Sequence, residues 1–425
     1  MKYIKNWLSI LFCFNFITVS KVMAERKEIT LKTNKTRIIL YIYEFLSIFI
    51  LFYAVDTLFY LERGIEASGY LFFVVISYGI QLLFEIPSGI LADKYSKKKI
   101  LIMSQIFFLI STIIFIFAHS YIVFVIATII AALQKCFSTG IVNSYLYESL
   151  ENKNKFNKCL FIKNTIYYSA YMLAMPLGGF IAERYGIITT YYITLVPAIL
   201  GLIVLFFLHE NKNKIIEKNN NIASKLEILK NGLHEIKKNS FIKTIIFTNA
   251  ILLVVVKLIE ESHPDYSTQI GISEFQIGIY TAFILVFCII GSYLGSKIKE
   301  KYHNIVIYIN PILSGICILL LGILNNKVGI LFLLIMYIFE ESFDNIIISK
   351  IHNAISSKSR VTVESLMSML QCIFGIIIGT GITILLNYIN VNISYIILGL
   401  LIIVYGSSII LYKVKNKNFM QIWCI

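Results

Sequence analysis

Unbroken apolar runs of about twenty residues dominate this chain and leave few choices of fold. A run of that length crosses the roughly 30 Å hydrocarbon core of a bilayer as an α-helix. A helix is also the only single-segment structure that satisfies its own backbone polar groups in lipid. About twelve such runs occur, over 37–60, 69–91, 100–117, 121–144, 161–182, 187–208, 241–259, 275–296, 303–324, 328–347, 361–386 and 391–412. Composition agrees, with 58% hydrophobic and 15% charged residues against roughly 45–50% and about 25% in soluble domains. The expected fold class is an all-α membrane protein of about twelve transmembrane helices in two pseudo-symmetric six-helix bundles. The longest polar stretch divides the chain into a leader at 1–36, a first bundle at 37–208, a linker at 209–240, a second bundle at 241–412 and a tail at 413–425.

The net charge of +14 would suggest nucleic acid on a compact soluble face, but here the basic residues fall in short runs between spans. Lys27, Lys32, Lys35 and Arg37 precede the first span, Lys94, Lys97, Lys98 and Lys99 follow the second, and Lys153, Lys155, Lys158 and Lys163 follow the fourth. The linker and the later alternate loops repeat the pattern, which places both termini in the cytoplasm of a multi-pass inner (plasma) membrane protein. The intervening loops read as short and near neutral or acidic, with Glu260, Glu261, Asp265 and Glu274. Residues 1–24 resemble a secretory signal, yet cleavage there would put Arg26–Arg37 outside. A start at Met23, giving a short basic leader, reconciles the two.

Three matches share one offset of 202: Gly69 with Gly271, Gly89 with Gly291 and Asn143 with Asn345. They point to a duplicated six-helix unit, a common plan in transporters built around a midplane site.

After the second span the chain reads EIPSGILADKYSKKK, from Glu85 to Lys99. This resembles the signature loop of the Major Facilitator Superfamily, with Gly89, Asp93, Lys98 and Lys99 matching, Lys94 and Lys97 in place of arginines, and Ser96 in place of a glycine. The resemblance implies a gating motif of Gly89, Asp93, Lys94, Lys97 and Lys98, in which Asp93 meets the positive end of the eleventh helix, beginning near Val361. The degenerate copy from Gly291 to Lys301 has Gly295 where the carboxylate would stand, and RVTVESLMSM (Arg360–Met369) resembles the entry to the eleventh helix. MPLGGF (Met175–Phe180) partly resembles the helix-bending motif of proton-coupled drug exporters, through Pro176, Gly178 and Gly179.

No phosphate-binding loop is present, so ATP is not the direct energy source, and no cofactor, metal spacing, CxxC pair or disulfide framework is indicated. Ionisable residues inside spans then carry the coupling, since their burial demands a reason. Asp56, Glu85, Glu340 and Asp344 are the candidates for proton or substrate coupling, with Glu340 and Asp344 on one helical face. Glu44 and Glu85 can pair with Lys or Arg near the cytoplasmic face, Glu340 and Asp344 with Lys350, and Lys257 with Glu260 or Glu261. The expected function is secondary active transport by alternating access, as a monomer that exports an amphipathic or cationic small molecule in antiport with protons. Uptake of a sugar, peptide or other metabolite is the alternative. A polytopic membrane enzyme would need a clustered His/Asp or paired acidic site at a membrane edge, and none is seen.

Overall fold

In a computed structural model of the chain, residues 31–138, 140–150, 156–208, 240–354 and 360–415 are described, and every regular element among them is helical. The leader around Met23, most of the 209–240 linker and the end of the tail lie outside the described residues.

The first span is broken. Helix α1 (Leu31–Ile48) gives way to a 3₁₀ turn (Leu51–Ala54) and then to the short α2 (Asp56–Glu62). The break frees backbone amides that lipid cannot satisfy. One of them, Leu51 N–H, donates to Thr194 Oγ1 at 3.1 Å. The remaining helices are α3 (Ala67–Lys94), α4 (Lys97–Phe117), α5 (Tyr121–Ser138), α6 (Ile141–Glu148), α7 (Phe156–Tyr185) and α8 (Ile187–Phe206). In the second half come α9 (Ser240–Gln269), α10 (Glu274–Lys297), α11 (Glu300–Leu324), α12 (Gly329–Ala354), α13 (Arg360–Leu385) and α14 (Val391–Lys415). With α1 and α2 forming one span, and α5 and α6 another, these correspond to the twelve apolar runs.

Nine helices among the described residues are long and apolar enough to cross a membrane. The broken first span, α7 and α12 fall outside that set. Their polarity explains it: α7 carries Asn164, Tyr167, Tyr168 and Tyr171, and α12 carries Glu340, Glu341 and Asp344. These three spans bring polar groups inside, as does the C-terminal part of α9.

One boundary changes the reading of the chain. The seventh span does not stop at 259; α9 runs on to Gln269, so Glu260, Glu261 and Asp265 are helical residues rather than a loop. Their polarity ended the apolar run in the sequence, but each is used inside the fold, and Asp265 is only 5% exposed.

Basic loops join the helices on one face of the bundle, hereafter the basic face. There Ser96 caps α4 by accepting from Lys99 N–H at 3.4 Å. Lys98 Nζ donates to the carbonyls of Phe206 and Leu208 at 2.7 and 2.8 Å, placing a cation at the negative end of α8. On the opposite face, Gly64 and Gly271 both hold left-handed turns, at φ 75° in each case. The equivalent glycine of the first half is therefore Gly64, not Gly69, which lies inside α3. The register shifts because α3 is 28 residues long and α10 only 24.

The two halves meet where α3 crosses α13 and α7 crosses α10. Helices in lipid gain no hydrophobic force from touching, so close backbone approach through small residues provides the contact. Across the halves, a Cβ on Gly179 would overlap the Glu274 carbonyl and one on Gly278 the Met175 carbonyl; within the first half, one on Gly178 would overlap the Leu51 carbonyl. The motif around Pro176 therefore acts in this fold through close packing, and α7 continues as one helix through the proline. Gly178→Ala should destabilise the protein by about 1–3 kcal/mol. Gly381→Ala, where nothing lies within 4 Å of an added Cβ, should stay within about 0.5 kcal/mol. Thermal unfolding of the purified protein in detergent distinguishes the two.

Candidate functional site

The polar stripe of α9 organises the site. Lys257, Glu260, Glu261 and Asp265 are spaced three, four and eight residues along one helical face, which turns toward the first span. Lys257 Nζ lies 3.1 Å from Glu260 Oε2 and 2.8 Å from Glu261 Oε1. The same nitrogen sits 5.9 Å from the centre of the Tyr53 ring. Tyr53 O–H donates to Glu260 Oε1 at 3.1 Å, and Thr57 O–H donates to the Glu261 carbonyl at 2.5 Å. The break in the first span is what presents Tyr53 and Asp56 at this depth. Asp56 accepts from Thr57 N–H at 2.8 Å, and its charged neighbours are Glu261, Lys257 and Glu260. Lys135, from α5, adds a second cation within range of Lys257, Glu260, Glu261 and Asp56.

Further contacts join the halves toward the opposite face. Tyr70 O–H donates to Asp265 Oδ2 at 2.9 Å, and Gln269 donates to Asp265 Oδ1 at 2.8 Å. Glu183 Oε2, near the end of α7, accepts the Phe275 N–H of the first turn of α10 at 3.0 Å, an acid placed at a positive helix end. These contacts close the bundle on that side.

A second acidic group lies on α12, where Glu340, Glu341 and Asp344 follow Tyr337. Asp344 Oδ1 accepts from Asn249 Nδ2 at 3.1 Å, in place of the expected pairing with Lys350. Glu341 lies beside the Cys288 thiol.

The other expected residues separate into distinct settings. Glu44 pairs with Lys163 at 3.5 Å, and Lys163 also donates to Asn143 at 3.1 Å, so that pairing was readable in advance. Among the described residues Glu85 forms no ion pair; it accepts from Ser365 and Ser368 of α13 at 3.3 and 3.5 Å, bridging the halves. Lys97 donates to Ser144 on α6. Gly89, Asp93 and Lys94 fall in the last turns of α3, with their side chains outside the described residues. Asn345, the expected match of Asn143, donates instead to Ser292 at 2.9 Å. In the degenerate copy, a Cβ on Gly295 would lie 3.0 Å from Ser342 Cα, so helix packing against α12 leaves no room for the carboxylate of the first copy. Sequence reading missed Tyr53, Thr57, Tyr70, Glu183 and Tyr337. The spacing of the four ionic residues on α9 was the available signal for the first three.

The sequence profile of the Major Facilitator Superfamily matches residues 38–380. The chain belongs to this superfamily. Among its relatives is an uncharacterised transporter of the superfamily from Methanocaldococcus jannaschii, 25% identical over 260 residues, which cover 59% of this chain and 63% of the relative. An uncharacterised transporter from Buchnera aphidicola is 23% identical over 311 residues, covering 69% of this chain and 75% of that one. The fold is shared with solved structures of a nucleoside transporter (TM-score 0.70, 13% identity, 88% of this chain and 97% of that one) and a D-xylose-proton symporter (TM-score 0.65, 14% identity, 88% and 95%).

Breaking a buried ion pair by removing one partner costs about 3–5 kcal/mol, less where water still reaches it. With Lys257 at 22% exposure, Lys257→Met should lower the unfolding temperature clearly. The double variant Lys257→Met/Glu261→Gln should recover part of that loss, since it removes one of the two stranded charges. Additive losses would show that the pair is not coupled.

Proposed function

We propose that the protein is a secondary active transporter that works by alternating access and couples the movement of a small organic solute to protons. The observation that carries this reading is the mid-span cluster of Lys257, Glu260 and Glu261 beside Asp56, at a junction between the two halves. Three carboxylates around Lys257 in a low-dielectric site cannot all stay charged without cost. Asp56 is the member that lacks a direct ion pair with Lys257 among the described residues, and it is the group we assign to carry the proton. Binding or loss of that proton changes the repulsion between α2 and α9, and hence the ease with which the opposite face opens. Glu85, which bridges α3 and α13, and Asp344 are secondary candidates for the same role. The gate on the basic face is assigned to Gly89, Asp93, Lys94, Lys97 and Lys98.

The solute we assign is an amphipathic or cationic molecule, moved outward in exchange for protons by a monomer in the cell membrane, with both termini cytoplasmic. Supporting this are the excess of carboxylates over lysines at the centre and the tyrosines of α7 beside them. A second reading, proton-driven uptake of a sugar, peptide or other metabolite, is favoured by the likeness to a D-xylose-proton symporter.

Flux into proteoliposomes under an imposed pH gradient, with a panel of cationic dyes, drugs and sugars, tests the proposal. Asp56→Asn should lower gradient-driven flux by about 5- to 150-fold, the range of a typical coupling energy between sites, while exchange without a gradient persists. Net inward movement of a sugar with the proton would select the second reading. If no compound moves faster than through empty liposomes, the transport reading fails.

A further inference from the structure

The acidic group on α12 contains a polar atom that the folded chain leaves unsatisfied. Tyr337 is 6% exposed, and its hydroxyl makes no hydrogen bond. That hydroxyl lies within electrostatic range of Glu260, Glu340, Cys288 and Tyr171, so it points into the space between α9, α10, α12 and α7. A buried polar group without a partner is costly, by about 1–3 kcal/mol, and calls for an occupant that completes it.

The carboxylates beside it are unequally engaged. Asp344 is held by Asn249, and Glu341 lies beside the Cys288 thiol. Glu340 makes no hydrogen bond or ion pair among the described residues, and it is only half-buried. Its charged neighbours are all acidic: Glu341, Asp344 and Glu260. The far wall comes from α7, where Tyr168 lies within electrostatic range of Glu341 and Tyr171 stands edge-on to Tyr53 at 5.7 Å.

We propose that Glu340 and the Tyr337 hydroxyl form the binding subsite for the ammonium group of an organic cation, with the rings of Tyr168 and Tyr171 facing its apolar part. The assignment rests on the transport reading above and specifies its substrate class. Lys257 shows that the chain itself accommodates this chemistry: its ammonium sits between two carboxylates and over a tyrosine ring a short distance away. The division of labour follows from the partners. Asp56 faces a cation already held by the protein, whereas Glu340 faces only other acids and the unpartnered hydroxyl. A neutral sugar would leave Glu340 without a counter-ion, so this subsite favours the cation over the sugar of the second reading.

The test is equilibrium binding of ethidium and of tetraphenylphosphonium to the full-length protein in nanodiscs, without a gradient, beside flux measurements in proteoliposomes. Ethidium carries N–H donors, and tetraphenylphosphonium is a cation without them. Glu340→Gln should weaken binding of both by about tenfold or more, which is 1.4 kcal/mol. Tyr337→Phe should weaken ethidium severalfold and tetraphenylphosphonium little. Glu62→Gln, which removes an exposed carboxylate at the end of α2, should shift either by less than about twofold. Unchanged elution and unfolding temperature of each variant establish that the fold is intact. Wild-type affinity in Glu340→Gln, or an equal loss in Glu62→Gln, overturns the subsite. Proton-driven flux of a neutral solute with no cation binding would also overturn it, while leaving the transport reading in place. Absence of any flux removes both.

Discussion

A lysine held between two glutamates inside the membrane is the constraint around which the rest of this structure is arranged. In a low-dielectric interior a lone ammonium is expensive, and Lys257 is tolerable because Glu260 and Glu261 lie within 3.1 and 2.8 Å of it. Two acids for one base leave the cluster over-supplied with negative charge, and it has to draw donors from elsewhere. Tyr53 supplies one to Glu260, while Thr57 ties the Glu261 backbone carbonyl to the same segment, and both reach α9 because the first span is broken at that depth. The break creates its own debt in free backbone groups, which Thr194 partly settles. One buried charge on the seventh span thus accounts for an irregular first span and for the polar character of the junction between the halves.

Much of this architecture was legible in the amino-acid sequence. Apolar run length and alternating loop charge gave the number and order of spans, because both follow from the properties of the bilayer rather than from any partner residue. The loop from Glu85 to Lys99 carried the family resemblance. The central site was harder to read. Glu260, Glu261 and Asp265 broke the apolar run and so resembled a loop, when in fact their polarity is cancelled by Lys257, Tyr53 and Tyr70 from within the fold. Hydropathy sees a side chain alone and has no means of seeing the partner that makes it tolerable. The equivalence of Gly69 with Gly271 failed for a related reason, since a constant offset assumes helices of equal length, and α3 outruns α10.

Glu44 and Glu85 illustrate the same limit on a smaller scale. Both are acids in spans near the basic face, and both looked ready to pair with a cation. Glu44 does, with Lys163. Glu85 instead spans the gap to α13 and rests on two serine hydroxyls, longer and weaker contacts than an ion pair. Which acid binds within its own half and which crosses to the other depends on helix placement, and no local pattern encodes it.

Side chains absorb small displacements by changing rotamer, but two backbones in contact have no such slack. Where Gly178 rests on the Leu51 carbonyl and Gly278 on the Met175 carbonyl, α7 touches both the interruption in the first span and the opening turns of α10. Any tilt of α7 is therefore passed on undamped to its two neighbours. The crossing serves as a fulcrum: one end of the lever is Glu183 at the mouth of α10, and the other end is the opening turns of α7, with Lys158 and Lys163, on the basic face.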